Sequence, residues 1–553
     1  MLREFFESYY RLRPVNATFT GVHDHDHRLP DWSPEGLASA AGEMRTLRST
    51  LRSARGSGTS LRDVAGRDLE LAMAFLDVQI AEHESGRFHQ ANPSLAAGEA
   101  IFGTIALMTR PFAGVADRAA AAVSRLTAVT AFLDGVRRSI TEPVLDEWRV
   151  KCLRECDGAG HLLRDGIPRW IALEGIDDPL AGRLTRAAEQ AGAAFEGFRG
   201  WLERDAGTTS RDLRHPYACG PELFDLLLSR GHWCKVPRTT LAAEAQQALD
   251  EALEQVHARA RAIAPGGWPE VQERLLNAHP AADDYLASYQ REWDACRELA
   301  EAHDLVTWPA YPIRYVPIPV HTRGAAPFLY YLHYRSPAPF DRLPIHDYVV
   351  TPIEPDMPAD EQLRRLRVTN TSVIKLNHVV HHGAIGHHVQ NYSAYAGLSE
   401  IGHVAAVDCA SRIAMFQGGT MAEGWACYAT DLMDEFGFFT PEESLAQQHT
   451  RARLLARAVV DIGLHEGSLD FEDAVALYRD RVGMSPEAAR GETCKNSMFP
   501  GTAAMYWLGT DALHRLRSER QRVEGASFSL RRFHDRVLAF GSIPVPLIAE
   551  LMS

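Results

Sequence analysis

The chain has 553 residues, of which 46% are hydrophobic and 24% are charged, a globular composition that excludes collagen-like and low-complexity proteins. Its formal net charge of −14 argues against binding of nucleic acid or of an anionic membrane through overall charge. The sequence has neither an apolar run of 18 residues nor an apolar leader, so we expect a cytoplasmic protein without a membrane span.

Most of the chain is predicted to be helical. Apolar residues recur at spacings of three and four within stretches rich in alanine, arginine and glutamate. Serine or threonine followed by proline marks several helix starts, because the first can cap the helix and the second fits its first turn. The predicted helical stretches are 104–140, 182–204 and Leu241–Ala264, and the predicted caps are Ser33, Thr440 and Ser485.

The stretch 308–339 differs because it is rich in proline and aromatic residues. Ile313–Val316 and Phe328–Tyr334 are predicted to be short strands, which the prolines confine to sheet edges. We therefore expect a mainly α protein with a small β-sheet near the active-site cleft. The absence of linker-like segments predicts one large body of two helical lobes, approximately 1–300 and 301–553.

A cluster of histidines is the most unusual feature of the sequence. The chain has 24 histidines, and random placement would put roughly half a histidine in a window of eleven residues. Burying five imidazoles there would require partners for up to ten ring nitrogens, so we predict a metal site. Imidazoles suit zinc, iron or copper better than calcium or magnesium. The five are His378, His381, His382, His387 and His388.

The local geometry leaves two choices for the second histidine ligand. An unbroken helix places His381 and His388 on one face, whereas a break at Gly383 and Gly386 brings His381 to His387. A carboxylate is expected to complete the site, and Glu423 at the start of a helical stretch is the candidate, giving a His2Glu set with an open position.

A second pair of polar residues follows on a later predicted helix. Asp461 and His465 are four residues apart and therefore lie on one face. A carboxylate that orients a metal-site histidine and an ordinary surface pair both fit this spacing.

In these residues the sequence resembles a bacterial family called domain of unknown function 885, whose members are zincin-like. The motif H-E-x-x-P-G-H-H-x-Q corresponds to 381–390, and E-G-W-A-L-Y-A-E corresponds to 423–430. Later family motifs correspond to 461–465, 492–496, 500–509 and 533–541, so the resemblance extends over essentially the whole chain.

The resemblance implies a single zincin-like domain over 1–553, similar to helical zinc peptidases of the thimet oligopeptidase and thermostable carboxypeptidase kind. It implies His381, His387 and Glu423 as metal ligands. Tyr428 and His465 join His382 as candidate catalytic residues. The candidate supporting residues or alternative ligands are His388, His378 and Asp461, and the candidate substrate contacts are Lys495, Asn496, Tyr506 and Arg314.

The departures from the family motifs alter the expected chemistry. His382 replaces the glutamate that serves as general base in zincins, and Asn496 replaces a tyrosine able to stabilise an oxyanion. Ile385 and Thr430 are further departures. A divalent ion with two neutral histidines and Glu423 carries a charge of +1, so the pocket is expected to prefer an anionic group.

The resulting hypothesis is a metal-dependent enzyme that acts on a small anionic substrate by hydrolysis or elimination, with His382 as acid/base. Zinc is the expected ion, with iron(II) or manganese as alternatives. The partner is a small or short peptide-like substrate rather than nucleic acid or membrane. The alternatives are an active zinc peptidase, a non-haem iron(II) enzyme with a His2Glu triad, and a catalytically dead metal-binding protein. The oligomeric state is left open.

Overall fold

The fold is mainly helical, as the sequence predicts, with 72% of residues in helices and 2% in strands. The structure is a computed structural model, and it describes residues 1–55, 60–141, 143–206, 215–329, 337–341, 343–407 and 411–553.

The regular elements, in chain order, are α1 (Leu2–Leu12), α2 (Pro14–Thr20), α3 (Pro34–Ala54), α4 (Val64–Glu84), α5 (Pro93–Thr109), α6 (Val115–Ser139), α7 (Asp146–His161), α8 (Ile167–Glu174), α9 (Asp178–Arg204), α10 (Pro221–Leu226), α11 (Arg238–Ile263), α12 (Trp268–Asn277), α13 (Tyr285–Ala302), β1 (Ile313–Pro317), α14 (Val320–Arg323), β2 (His346–Val350), α15 (Ala359–Val368), α16 (Thr371–Val373), α17 (His387–Ala396), α18 (Glu400–Ala405), α19 (Gly419–Glu435), α20 (Pro441–Glu466), α21 (Phe471–Ala476), α22 (Pro486–Met498), α23 (Met505–Glu524), α24 (Leu530–Leu538) and α25 (Val545–Met552). Segments of π-helix adjoin some of them, at Leu162–Gly166, Leu227–Gly231, Ile374–Gly383, Ala414–Gly418 and Leu477–Arg481.

The chain forms two compact units, each built from two chain segments. The predicted lobe boundary near residue 300 differs from the boundaries in the structure. The reason is that α11 packs against α20, and α13 packs against the π-helix that carries the first histidines. Unit 1 comprises Met1–Pro216 and Ile318–Leu343, and unit 2 comprises Tyr217–Pro317 and Pro344–Ser553.

Unit 1 is a helical body in which α6 packs against α5 and α9. Its main core cluster draws buried apolar side chains from α5 to α9. Helix α6 (Val115–Ser139) is long and apolar enough to cross a membrane by length and composition, but 50% of its most apolar window is buried inside the protein. Its packing is that of a core helix.

Unit 2 carries the predicted site and the sheet. Helix α11 packs along α20, and α19 packs along α23. The sheet has two parallel strands, β1 and β2, with Arg314 opposite Asp347 and Tyr315 opposite Tyr348. Tyr315 and Tyr348 are buried, so one face of this small sheet contributes to the core.

Local sequence signals predicted helix starts better than strands. The Ser33, Thr440 and Ser485 side chains each accept a backbone N–H of the first helical turn, and Thr440 completes a capping box with Glu443. The strand predicted at Ile313–Val316 is confirmed as β1. Of the second predicted strand, Phe328 ends a 3-10 turn, and 330–334 lie outside the described residues. Strand β2 was not predicted, because its histidine and aspartate interrupt the apolar pattern.

A charged histidine joins the N-terminal part of unit 1 to a distant segment of the same unit. Nδ1 of His23 lies 2.8 Å from Oδ2 of Asp26, and Nε2 lies 2.7 Å from Oδ1 of Asp341. The ring also stacks on Phe112 at 3.7 Å. Burial alone would lower the pKa of His23, but the hydrogen bonds to Asp26 and Asp341 raise it to about 9.

Because this folded-state pKa exceeds the unfolded value of about 6.5, the charged form stabilises the fold at pH 6.5 and below and loses that effect as the pH rises through 9. We expect His23→Gln to lower the free energy of unfolding of unit 1 by about 2 kcal/mol near neutral pH. The difference from the wild type should shrink by pH 10. Thermal unfolding of both proteins from pH 6 to pH 10 tests this, and a difference independent of pH would contradict it.

Candidate metal centre

Three histidines converge where the chain turns from one helix into the next. His381 and His382 lie in the last turn of the π-helix Ile374–Gly383, and His387 is the first residue of α17. One ligand atom from each of the three lies within 4.8 Å of those of the other two. Of the two alternatives that the sequence left open, the break at the two glycines is therefore the one present, and it selects His387 rather than His388 as the neighbour of His381.

Glycine is required in the turn between the two helices. A Cβ on Gly386 would lie 2.0 Å from the carbonyl oxygen of His381, far inside van der Waals contact. The indole N–H of Trp293 donates to the carbonyl of Gly383 at 2.8 Å, and that of Trp425 donates to the carbonyl of Ile385 at 2.9 Å. The turn is therefore buried with its carbonyls satisfied and cannot relax easily.

Glu423 completes the cluster from helix α19. Its Oε2 lies 3.4 Å from Nε2 of His381 and 3.6 Å from Nε2 of His387. Donor atoms about 2.1 Å from a tetrahedral ion lie about 3.4 Å apart, so both of these contacts match the spacing of ligands that share one ion. Two imidazoles and one carboxylate also form a donor set suited to zinc.

The position of Glu423 depends on the glycine that follows it. A Cβ on Gly424 would lie 2.5 Å from Cα of Gly509, and one on Gly509 would lie 2.0 Å from the carbonyl oxygen of Thr420. Helices α19 and α23 therefore approach each other through these two glycines. Both belong to motifs singled out from the sequence.

His382 is oriented by a backbone carbonyl. Its Nδ1 lies 2.7 Å from the carbonyl oxygen of Asn377, so Nδ1 carries the proton and Nε2 carries the lone pair. Its ring centroid lies 4.7 Å from that of His381 and 5.2 Å from that of His387. A neutral His382 can therefore accept a proton or bind a metal through Nε2.

Burial and mutual proximity set the charges of the cluster. Burial lowers the pKa of His382 well below its usual value, and the neighbouring histidines lower it further. Burial also lowers the pKa of His381. Burial alone would raise the pKa of Glu423, but His387 and His381 hold it well below its usual range. The Glu423 carboxylate is thus ionised, and His381 and His382 favour the neutral form, the protonation states that metal binding requires.

The other two histidines of the sequence cluster bond elsewhere. Nε2 of His388 lies 2.8 Å from the carbonyl oxygen of Tyr311, and the His388 ring stacks on the Tyr311 ring. Nδ1 of His378 lies 2.6 Å from the hydroxyl of Tyr348. Both side chains pack around the turn rather than joining Glu423.

Three other predicted residues are structural in this fold. The Tyr428 hydroxyl is buried 2.7 Å from Nε2 of His534, so its bond is to the core rather than to the cluster. The Asp461 carboxylate accepts the backbone N–H groups of Gly501 and Ala504, both at 2.9 Å. It lies 3.7 Å from Nε2 of His465, too far for a hydrogen bond. Nε2 of His465 lies 3.0 Å from the carbonyl oxygen of Asn496.

The predicted substrate contacts fall into two groups. Arg314 pairs with Asp347 across the sheet, and Asn496 is buried with its amide donating to the Tyr478 hydroxyl. Lys495 and Tyr506 instead lie around an ion pair that the sequence analysis did not single out. In this pair Nε of Arg457 lies 2.7 Å from Oε1 of Glu492, and the Arg457 guanidinium also lies over the Tyr506 ring. The only sequence signal for it was the position of Glu492 in a family motif.

The chain belongs to the family described as "Bacterial protein of unknown function (DUF885)", whose model matches residues 14–552. Two solved structures have the same fold. A "putative lipoprotein of unknown function" from Shewanella oneidensis is 20% identical with a TM-score of 0.77, covering 100% of this chain and 98% of its own. A "putative lipoprotein" from Colwellia psychrerythraea is 16% identical with a TM-score of 0.77, covering 100% and 97%. No curated protein matches the chain.

The turn can be tested with a single methyl group. We expect Gly386→Ala to lower the free energy of unfolding of unit 2 by about 1–3 kcal/mol, because the added Cβ forces the His381 carbonyl away. The same shift should separate His381 from His387 and weaken zinc binding. Urea unfolding and zinc titration measure the two effects.

The matched control is Gly197→Ala, because that glycine lies in helix α9 with nothing within 4 Å of an added Cβ. It should leave zinc binding unchanged and raise helix stability by at most about 1 kcal/mol. If Gly386→Ala bound zinc as tightly as the wild type, this would contradict the inference that the close approach of Gly386 to the His381 carbonyl positions His381 and His387.

Proposed function

We propose that the protein is a metal-dependent enzyme whose ion is held by His381, His387 and Glu423. The single observation that carries this proposal is the contact of one Glu423 oxygen with Nε2 of both histidines, at 3.4 and 3.6 Å. A His2Glu set is typical of catalytic zinc sites that keep a position for substrate, and it is also compatible with iron(II) or manganese. The scaffold is proposed to be zincin-like, on the strength of the ordered motifs.

The bound ion would act as a Lewis acid on a substrate oxygen. His382 is proposed to accept and return a proton beside it. Its Nδ1–H is engaged by the Asn377 carbonyl, so the basic nitrogen is Nε2, and the ring centroid lies 4.7 Å from that of His381 and 5.2 Å from that of His387. A neutral imidazole in this place supports hydrolysis or elimination.

The charge of the site favours a small anionic substrate. Zincins that combine H-E-x-x-H with a glutamate ligand have two carboxylates at or beside the ion, whereas this chain would place one carboxylate and a neutral His382 there. A divalent ion with Glu423 would leave a charge of +1, and a negatively charged substrate group would neutralise it. Ordinary peptide hydrolysis loses its usual base in this arrangement.

Metal content tests the first part of the proposal. We expect the wild-type protein to bind about one zinc ion per chain by elemental analysis after dialysis. His387→Gln and Glu423→Gln should weaken zinc binding more than about a hundredfold, the upper range for loss of a residue that only supports a ligand. His388→Gln, the adjacent histidine, is the control and should retain zinc. Absence of bound zinc, iron or manganese in the wild type would overturn the proposal.

Restoring the missing carboxylate tests the role of position 382. We expect zinc-loaded wild-type protein not to hydrolyse a library of unblocked peptides, and His382→Glu to gain such hydrolysis, because general bases contribute about 10²–10⁴-fold. The measurement is mass spectrometry of the digested library. Cleavage by the wild type that Glu423→Ala abolishes would establish the zinc peptidase alternative instead.

A further inference from the structure

Helix α20 brings two arginines together beside the metal centre. Arg453 and Arg457 are four residues apart, about 6 Å along the helix and on the same face. Arg457 is neutralised by Glu492 of α22, with Nε to Oε1 at 2.7 Å and Nη2 to Oε2 at 2.9 Å. The Arg457 and Glu492 side chains are only 12% and 13% exposed, so this ion pair is largely removed from water.

Arg453 has no such partner. Within the described ranges no carboxylate forms an ion pair with its guanidinium, and its buried Nε has no hydrogen-bond acceptor. The residue itself is half-buried. The titratable groups close enough to affect the pKa of Arg453 are Arg457, Glu492, Tyr478 and Tyr506.

The charges around Arg453 do not cancel. Arg453 and Arg457 contribute two positive charges, and Glu492 contributes one negative charge, since Arg457 and Lys495 hold its pKa down at about 2 against the effect of burial. These three side chains therefore carry an excess of about one positive charge. A buried Nε without an acceptor is costly for a charged guanidinium, and a bound anion would compensate for it.

This basic group adjoins the histidine cluster. Helices α19 and α20 are consecutive and antiparallel, and Asp431 of α19 bonds to Gln447 and Arg451 of α20. Glu423 lies two helical turns before Asp431, which brings it level with the part of α20 that carries Arg457.

The charge of Arg457 also acts on His381. Arg453 lies one helical turn farther from the cluster along α20. An anion at Arg453 would thus be separated from the reacting group by several ångströms within one molecule.

We propose that Arg453 binds an oxyanion of the substrate, a carboxylate or a phosphate, while another part of that molecule reacts at the metal centre. The inference rests on the proposed function for its link to the metal, but the anion site is defined by Arg453 and its neighbours alone. Arginine suits this task because its planar guanidinium can donate two parallel hydrogen bonds to either oxyanion.

The test uses the full chain freed of metal by chelation, because phosphate would otherwise bind zinc directly. Isothermal titration at low ionic strength with inorganic phosphate, and separately with acetate, should detect binding of at least one of them. Arg453→Gln should weaken that binding about tenfold or more, the loss expected for a charge-assisted hydrogen bond. Arg453→Lys should retain part of it. Binding of phosphate alone, or of acetate alone, identifies the kind of oxyanion.

The matched control is Arg479→Gln, because Arg479 is an exposed arginine of the same unit that pairs with the adjacent Asp480. It should leave the affinity unchanged. Labelling of arginines by phenylglyoxal provides a second measurement on the wild-type protein, so the inference remains testable if Arg453→Gln does not fold. Phosphate or acetate should slow labelling of Arg453, as measured by mass spectrometry, and should not slow labelling of Arg479.

Equal anion affinity in the wild type and Arg453→Gln would overturn the inference, as would unprotected labelling of Arg453. These results are independent of the zinc titration. Anion binding that requires Arg453, in a protein that binds no metal, would support the anion site and overturn the proposed metal-dependent reaction. Zinc binding without anion binding would do the reverse.

Discussion

The close approach of Gly386 to the carbonyl oxygen of His381 is the constraint on which the candidate site depends. Without it the chain would continue as a helix, and His387 would point away from His381. The hydrogen bond from the Trp425 indole to the Ile385 carbonyl holds this turn against helix α19. Because Trp425 follows Glu423 by two residues on that helix, the same hydrogen bond also sets the distance between the Glu423 carboxylate and the histidines of the turn. The three donors are thus held by backbone geometry before any metal binds.

A second close approach, between helices α19 and α23, also determines the position of Glu423. Gly424 and Gly509 let helices α19 and α23 approach at backbone distance, and side chains there would separate the helices and move Glu423. The beginning of α23 is held in turn by Asp461, whose carboxylate accepts the N–H groups of Gly501 and Ala504. Burial raises the pKa of Asp461 to about 7 although these backbone hydrogen bonds oppose the shift, so burying the charged carboxylate is costly. Asp461 therefore influences the site by positioning a helix, rather than by orienting a histidine as its spacing suggested.

The sequence predicted the parts of the site that depend on local backbone rules. Two glycines within a histidine-rich helix indicate a break, and the break decides between His387 and His388. The helical class and the capped helix starts follow from the same local rules. Residues whose surroundings come from distant segments were less predictable. The neighbours of Arg453 come from α22 and α23, and the hydrogen-bond partner of Tyr428 comes from α24. The spacing of residues within one helix does not reveal such contacts. The unit boundary depends in the same way on the packing of α11 against α20.

The residue at position 382 and Arg453 both affect the net charge around the candidate site. A glutamate at 382 would place a second carboxylate at the proposed ion and make the net charge of the proposed site neutral. With histidine there, a bound divalent ion would keep a charge of +1 in the proposed site, and Arg453, for which the described residues provide no carboxylate partner, would add a second positive charge about one or two helical turns away. Each uncompensated charge weakens the case for a neutral peptide and strengthens the case for a substrate that brings its own negative charges. Under the proposed function, the change at 382 is therefore better understood as a change of substrate charge than as a simple loss of the catalytic base.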